Sequence, residues 1–190
     1  MSRGVKRVKV DEIAADLQMS KRTLYEMFGD KENLLVECLS FHYERQQQEY
    51  RRLAEQAANP LEAYALIFNS RVDELRQMNP LFVSECRKYD SVQRMVAEQA
   101  EERGRHAMSF VQQCVDGGWL RSDVNYELAL RIFDIVGRAV MEQELYREYG
   151  MEEVMRTLGV TQLRGLCTAK GLAVLESGIM HNGNEVKNEK

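Results

Sequence analysis

The stretch from Lys9 to Leu35 constrains the fold more than any other part of the 190-residue chain. Its first apolar residues recur at steps of three, one and three, which is the spacing of one helix face and not of a strand. They are Val10, Ile13, Ala14 and Leu17. This spacing predicts a short helix from Lys9 to Leu17.

A second short helix is predicted to begin at Ser20, after a turn at Gln18-Met19. Ser20 suits the N-cap position because its hydroxyl can accept from the free backbone N–H groups of the first turn. Leu24 and Phe28 lie four residues apart and are expected to face inward. The remaining surface carries cations, hydroxyls and one aromatic ring, and consists of Lys21, Arg22, Thr23, Tyr25 and Glu26.

Two short helices joined by a tight turn make a helix-turn-helix, whose second helix enters the DNA major groove. Phosphate contacts need cations and hydroxyls, and base readout needs side chains at the leading end of that helix. The alternative is that Tyr25 is a half-buried surface aromatic and Lys21-Arg22 an ordinary solvated pair. DNA binding is favoured because the core positions, the cap and the basic face agree in one register.

The run IAADLQMSKRTLYEMFGDKENLL resembles the DNA-binding signature of the tetracycline-repressor (TetR) family of bacterial transcriptional regulators. The matching residues are Ser20, Lys21, Thr23, Leu24, Tyr25, Phe28, Lys31, Glu32, Leu34 and Leu35. The resemblance implies that Lys21, Arg22 and Thr23 lie at the groove. It also implies that Tyr25 donates to a phosphate and that Lys31 meets the DNA backbone. The complete predicted DNA-binding set is Lys9, Ser20, Lys21, Arg22, Thr23, Tyr25 and Lys31.

The sequence departs from the family pattern in three places. Gln18 stands near a position that usually holds glycine, and Val8-Lys9 replaces a Ser or Thr cap, each weakening the local geometry by about 1 kcal/mol or less. The chain begins at 1–4, just after the point where the family's first helix would end. We therefore expect a DNA-binding domain without its first helix and an exposed apolar patch. The patch would contain Val10, Ile13, Leu17, Leu24 and Phe28.

Composition predicts an all-α protein. Hydrophobic residues make up 44% of the chain and charged residues 29%, with only two prolines, so the chain is globular and favours helices throughout. The net charge is −4, but seven basic and five acidic residues give +2 up to Lys31 and leave −6 for the remainder. A basic end on an acidic body fits a DNA-binding element on a body that need not touch DNA.

The middle of the chain predicts four more helices. The first, a long helix from Lys31 to Ala57, either connects the DNA-binding end to the body, as in the family, or is a plain core helix. Asn59-Pro60 and Asn79-Pro80 each place Asn at an N-cap and Pro at the first helical position. The predicted ranges from there are 60–78, 80–89 and 91–115, the last ended by Gly117-Gly118.

The C-terminal part predicts two helices and a tail. The segment 125–149 is apolar on two adjacent stripes, so a single helix there must be covered on two sides, one of them by a second copy. In 151–176, three glycines either allow close packing or break the helix. The resemblance implies that these two helices form a four-helix dimer interface. The polar tail 181–190 is predicted to be disordered.

The resemblance also implies an effector pocket among the helices of the body. The candidate lining residues are Tyr64, Phe68, Phe82, Phe110, Trp119 and Phe133, and ordinary core packing is the alternative for each. Four widely spaced cysteines indicate free thiols. Cys38 and His42 are expected to form a buried core pair and not half of a metal site. No metal, other cofactor or membrane span is predicted.

Together these features predict a cytoplasmic homodimeric regulator, with a partial DNA-binding domain at 1–32, a ligand-binding and dimerisation domain at 33–180 and a tail at 181–190. It would bind a palindromic double-stranded operator and act as a repressor released by an unknown small-molecule effector. The alternative is a dimeric ligand-binding or interaction protein that no longer binds DNA because its first helix is missing. An enzyme is disfavoured because no Ser/His/Asp grouping, metal spacing or phosphate loop is evident.

Overall fold

The computed structural model describes residues 4–180 and confirms the all-α fold. A 3-10 turn at Val5–Arg7 precedes ten helices in this part of the chain. Their bounds are α1 (Val10–Asp16), α2 (Lys21–Phe28), α3 (Lys31–Gln56), α4 (Pro60–Arg76), α5 (Pro80–Cys86), α6 (Asp90–Asp116), α7 (Tyr126–Glu142), α8 (Tyr146–Tyr149), α9 (Met151–Leu166) and α10 (Ala169–Met180). The predicted tail at 181–190 lies outside the described residues.

The predicted helix starts are confirmed by their caps. The Ser20 side chain accepts from the backbone N–H of Thr23, and the Asn79 side chain accepts from that of Leu81. Asn125 caps α7 in the same way. These caps satisfy N–H groups that a helix leaves without a partner in its first turn.

The prediction of a single helix over 125–149 is wrong, because the chain breaks after Glu142. Glu144 adopts a left-handed conformation with φ of 53°. Its N–H donates to Met141 O at 3.3 Å, and the N–H of Leu145 donates to Val140 O at 3.2 Å. This pair of bonds is a Schellman motif, which ends a helix by satisfying its last carbonyls. No glycine is present at this helix end, and the apolar spacing continues past it along the sequence. The spacing alone therefore did not indicate the break.

The chain divides into two compact units. The first contains Met1–Gln48 and Gln77–Glu102, and the second contains Glu49–Arg76 and Arg103–Lys190. The predicted domain boundary at 32/33 separates a DNA-binding part from the rest and remains a prediction. No helix of the described residues is long and apolar enough to span a bilayer.

The first unit has two small cores. One contains Val10, Ala14, Leu24 and Leu34, with Ile13 and Phe28 packed against it. The other contains Val5, Cys86 and Val92, with Leu35, Val36, Leu39, Phe82, Tyr89 and Met95 around it.

The expected exposed patch is therefore wrong for Val10 and Leu24, which are buried, while Ile13 and Phe28 are half-buried. Leu34 from α3 packs against Val10, Ala14 and Leu24 and covers part of this apolar surface. Of the five residues only Leu17 is strongly exposed, at 56%. The predicted burial of Cys38 is also wrong, since its thiol is exposed.

The second unit is organised around α4. Leu61, Ala65 and Val72 are almost completely buried, and α4 packs against both α9 and α10. Leu120 packs in this core and forms an isolated antiparallel bridge with Cys167.

Two of the three glycines in the C-terminal segment serve close packing and do not break a helix. A Cβ at Gly159 would lie 2.7 Å from the Phe68 ring, and one at Gly171 would lie 2.0 Å from Trp119 O. The break between α9 and α10 falls at 167–168, where no glycine is present. Nothing lies within 4 Å of a Cβ built at Gly165.

We expect Gly171→Ala to destabilise the protein by about 1–3 kcal/mol, because the new methyl group meets a backbone oxygen that cannot move freely. Gly104→Ala in α6 is the matched control, since a Cβ there meets nothing within 4 Å. The control should instead stabilise by about 0.5–1 kcal/mol through helix propensity. Urea unfolding of both variants tests this, and equal changes would contradict the packing role of Gly171.

Candidate nucleic-acid interface

The turn between α1 and α2 is a Schellman motif in which Gln18 holds the left-handed position. Gln18 has φ of 55°. Its N–H donates to Ala15 O at 3.0 Å, and the N–H of Met19 donates to Ala14 O at 2.8 Å. This is the position at which the sequence departs from the glycine usual in the family. The turn therefore has the geometry that suits glycine, although glutamine is strained in the left-handed conformation.

The N-terminus of α2 carries two hydroxyls side by side. Ser20 Oγ accepts from the Thr23 N–H at 3.0 Å. The Ser20 and Thr23 hydroxyl oxygens lie 2.8 Å apart. Both side chains are exposed, so they offer hydrogen-bonding groups beside free helix N–H groups, a combination that attracts anions such as phosphate.

The two cations of α2 each have an acidic partner. Lys21 Nζ lies 2.8 Å from Asp11 of α1, whose hydrogen bond and charge raise the pKa of Lys21. Arg22 Nε lies 2.7 Å from Glu26, one turn along the same helix, and the Arg22 side chain is 88% exposed. Exposed ion pairs contribute little stability, so these partners hold the side chains without preventing their exchange onto DNA.

The other predicted DNA contacts differ in exposure. Tyr25 and Lys9 are exposed, on α2 and at the start of α1 respectively. Lys31 is half-buried, and its Nζ donates to Val5 O and Val8 O, each at 2.6 Å. Six of the seven predicted residues thus lie at the surface of the helix-turn-helix. Lys31 is instead hydrogen-bonded to the residues that precede α1.

Sequence reasoning missed some partners of these residues. The Arg22–Glu26 pair follows from the four-residue spacing on a helix. The Lys21–Asp11 pair joins two helices, and the Lys31 bonds reach back 23 and 26 residues. No local spacing signals such contacts.

Comparison with known proteins identifies this element. Residues 1–38 match the sequence profile described as "Bacterial regulatory proteins, tetR family". Residues 1–38 therefore carry the DNA-binding element of the TetR family. The helix-turn-helix is thus that of a DNA-binding transcriptional regulator, and TetR-family regulators are in general not enzymes.

One solved structure extends the similarity along the chain. It is described as the ketosteroid transcriptional regulator KstR2 of Mycobacterium tuberculosis. The match covers 87% of this chain and 88% of that chain, at 21% sequence identity and a TM-score of 0.55. At this identity the similarity concerns the fold. No curated protein matches the chain.

Four of the six predicted effector-pocket residues lie in one core of the second unit. The Tyr64 ring stacks on Phe68, with centroids 6.0 Å apart, and on Phe110, with centroids 5.6 Å apart. Burial raises the pKa of Tyr64. Trp119 packs on the same core, where Lys170 Nζ lies 4.4 Å from its ring centroid.

The remaining two candidates lie elsewhere. Phe133 is half-buried on α7. Phe82 belongs to the core of the first unit, with Val5, Cys86 and Val92. The structure therefore brings Tyr64, Phe68, Phe110 and Trp119 to one core and leaves the pocket assignment itself a prediction.

The second unit also contains two buried polar atoms that lack a hydrogen-bond partner among the described residues. Asn69 donates through Nδ2 to Gly178 O at 2.7 Å, but its Oδ1 has no partner among the described residues. Arg156 donates through Nε to Glu152, yet its buried Nη2 also has no partner there. Buried polar atoms normally find a partner, so both atoms retain unused hydrogen-bonding capacity.

We expect Gln18→Gly to stabilise the protein. A non-glycine residue in the left-handed region costs about 1–2 kcal/mol, which the glycine variant does not incur. Glycine also has more conformational freedom in the unfolded chain, which lowers stability by about 0.5–1 kcal/mol. The expected net gain is about 0.5–1 kcal/mol by denaturant unfolding. Gln18→Ala is the control, because alanine retains the strain and should leave stability nearly unchanged. A gain with alanine equal to that with glycine would contradict this explanation.

Proposed function

We propose that this TetR-family regulator is a homodimeric repressor that binds a palindromic operator and releases it when a small molecule binds the second unit. The DNA-binding part of this proposal rests on the amphipathic character of α2. Leu24 is 1% exposed, while Arg22, Thr23 and Tyr25 lie on the exposed remainder of the helix surface. A helix held by one apolar side and bearing donors on the other suits insertion into a groove.

The proposed contacts divide by chemistry. Arg22 and Thr23 lie in the first turn of α2, the part of a recognition helix that meets base edges. Lys9, Ser20, Lys21 and Tyr25 are proposed to contact phosphate, since ammonium and hydroxyl groups donate readily to its oxygens. These contacts would fix the position of α2 in the groove and let Arg22 and Thr23 read the sequence.

The exposed apolar face of α7 supports a homodimer. Leu128, Ile132 and Ile135 recur at helical spacing and are 52%, 48% and 49% exposed. Three large aliphatic side chains on one face mark an interaction surface. A two-fold axis lets such a surface pair with its own copy. The same symmetry would present two α2 helices to half-sites about 34–36 Å apart.

The second unit offers features that suit a small-molecule effector. The stack of Tyr64, Phe68 and Phe110 provides aromatic surface. Asn69 Oδ1 and Arg156 Nη2 provide an acceptor and a donor without a partner in the described residues. An apolar site with a few polar groups is the usual composition of a ligand pocket. A ligand that binds one DNA-binding state more tightly than another would change operator affinity.

We expect Arg22→Ala to change which sequences the protein prefers, by about 1–3 kcal/mol for a lost base contact. Tyr25→Phe removes one phosphate donor and should weaken binding to all duplexes alike. Sequences selected from a random duplex pool by the wild-type protein supply the preferred site, and binding of that site and of random DNA is then measured for each variant.

Arg45→Ala is the control for loss of a cation, because Arg45 is exposed on α3 outside the proposed interface. Equal losses on selected and random DNA for Arg22→Ala would refute its role in base readout. A loss with Arg45→Ala as large as that with Arg22→Ala would show that net charge and not groove contact controls binding.

We expect Ile132→Glu to convert the dimer to a 22.0 kDa monomer in sedimentation equilibrium. The substitution would bury a charge without a partner at the centre of the α7 face, which costs more than a dimer interface of this kind can supply. Met108→Glu on α6 is the control, because Met108 is similarly exposed, at 45%. An Ile132→Glu variant that remains dimeric would exclude this face as the interface.

A further inference from the structure

Lys31 occupies an unusual place in the helix-turn-helix. It is the first residue of α3, directly after the loop that ends α2. Its ammonium group donates at 2.6 Å to the carbonyl oxygens of Val5 and Val8, which lie directly before α1. The Lys31 side chain therefore connects the residues that precede α1 with the residue that follows α2.

The same N-terminal turn is held from its other side by α5. The backbone N–H of Lys6 donates to Glu85 Oε2 at 2.8 Å. Glu85 is buried, and a Cβ at Gly4 would lie 2.6 Å from the same carboxylate oxygen. Val5 is buried beside Cys86 and Val92. Residues 4–8 are thus fixed by side chains from α3 and α5, both within the first unit.

The bonds of Lys31 compete with a phosphate contact. An ammonium group has three N–H donors, and two of them are committed to carbonyls that are part-buried. Withdrawing the side chain toward DNA would break both of these charged hydrogen bonds, which costs free energy. Lys9, by contrast, is exposed, and its side chain caps no helix.

We propose that Lys31 is a positioning residue that, with Glu85, clasps the turn at residues 4–8 and so fixes the approach of α1 and α2. It takes this role in place of the phosphate contact that the family resemblance implies. The path is short, because Val8 is followed by Lys9 and then by Val10, which packs with Leu24 of α2. Loss of the clasp frees the entry to α1 and lets the recognition helix move relative to α3. The effect on DNA rests on the proposed DNA-binding face, whereas the clasp itself does not.

The decisive variant is Lys31→Met, which keeps the unbranched chain but removes the charge and all donors. Lys9→Met is the matched control, because it removes an exposed lysine at the start of α1. Binding of the full-length protein to a duplex of random sequence is measured over a range of salt concentrations. A lysine that neutralises a phosphate contributes about 0.9 to the slope of log K against log salt. We expect this loss of slope for Lys9→Met and an unchanged slope with weaker binding for Lys31→Met.

Amide hydrogen exchange tests the clasp without DNA. The Arg7 N–H donates to Gly4 O at 3.1 Å within the turn, so its exchange reports on whether the turn opens. We expect protection of this amide to fall at least about tenfold in Lys31→Met, as the loss of a charged hydrogen bond implies. The amide of Leu163 in the second unit should be unchanged. Glu85→Leu should also expose the Arg7 amide, while Glu85→Gln retains an acceptor for Lys6 and should not.

Two results would overturn the proposal. One is a slope for Lys31→Met reduced as much as that for Lys9→Met, which would return Lys31 to the phosphate backbone. The other is unchanged protection of the Arg7 amide in both Lys31→Met and Glu85→Leu. If the wild-type protein binds no duplex, the proposed function fails, and the exchange experiment still decides whether the clasp exists. If Lys31→Met does not fold, the Glu85→Leu and Glu85→Gln pair decides it.

Discussion

Burial of Leu24 determines how the DNA-binding face is presented. Leu24 packs with Val10, Ala14 and Leu34, so α1, α2 and the start of α3 share one core. Because a helix turns by a fixed angle per residue, burial of Leu24 leaves Arg22, Thr23 and Tyr25 on the surface. Every proposed DNA contact on α2 depends on this register. The core is small, so the ends of the motif need further constraints, which the turn at Gln18 and the bonds of Lys31 provide.

The parts of this structure that follow from local chemistry could be predicted from the sequence. Ser20, Asn79 and Asn125 begin helices through bonds that span only two or three residues. Apolar spacing correctly indicated α1, α2 and α3. The break after Glu142 escaped prediction because a glutamate holds the left-handed position. The same motif ends α1 with Gln18 in the left-handed position, but that turn was predicted because Ser20 follows it as an N-cap.

Contacts between distant residues limited the prediction of the site. The residues on the exposed surface of α2 could be predicted from the sequence, because the helical repeat determines which positions share a face. The bonds from Lys31 to Val5 and Val8 were not, because the sequence gives no signal for a lysine that folds back across two helices. A family pattern records that a lysine stands at this position, and the pattern alone does not distinguish a phosphate contact from an internal bond. The ammonium group of Lys31 donates to Val5 O and Val8 O, which supports the proposed internal role.

The acidic partners of Lys21 and Arg22 bear on specificity as well as affinity. Asp11 and Glu26 hold these cations in defined positions in the absence of DNA. In the proposed complex, DNA binding must exchange each carboxylate for a phosphate or a base edge, so part of the Coulombic gain is cancelled and non-specific binding is weakened. Bidentate contacts to a correct base can exceed this cost, whereas a single contact to a random phosphate gains less. In the proposed complex the carboxylates therefore favour discrimination between sequences at the expense of total affinity.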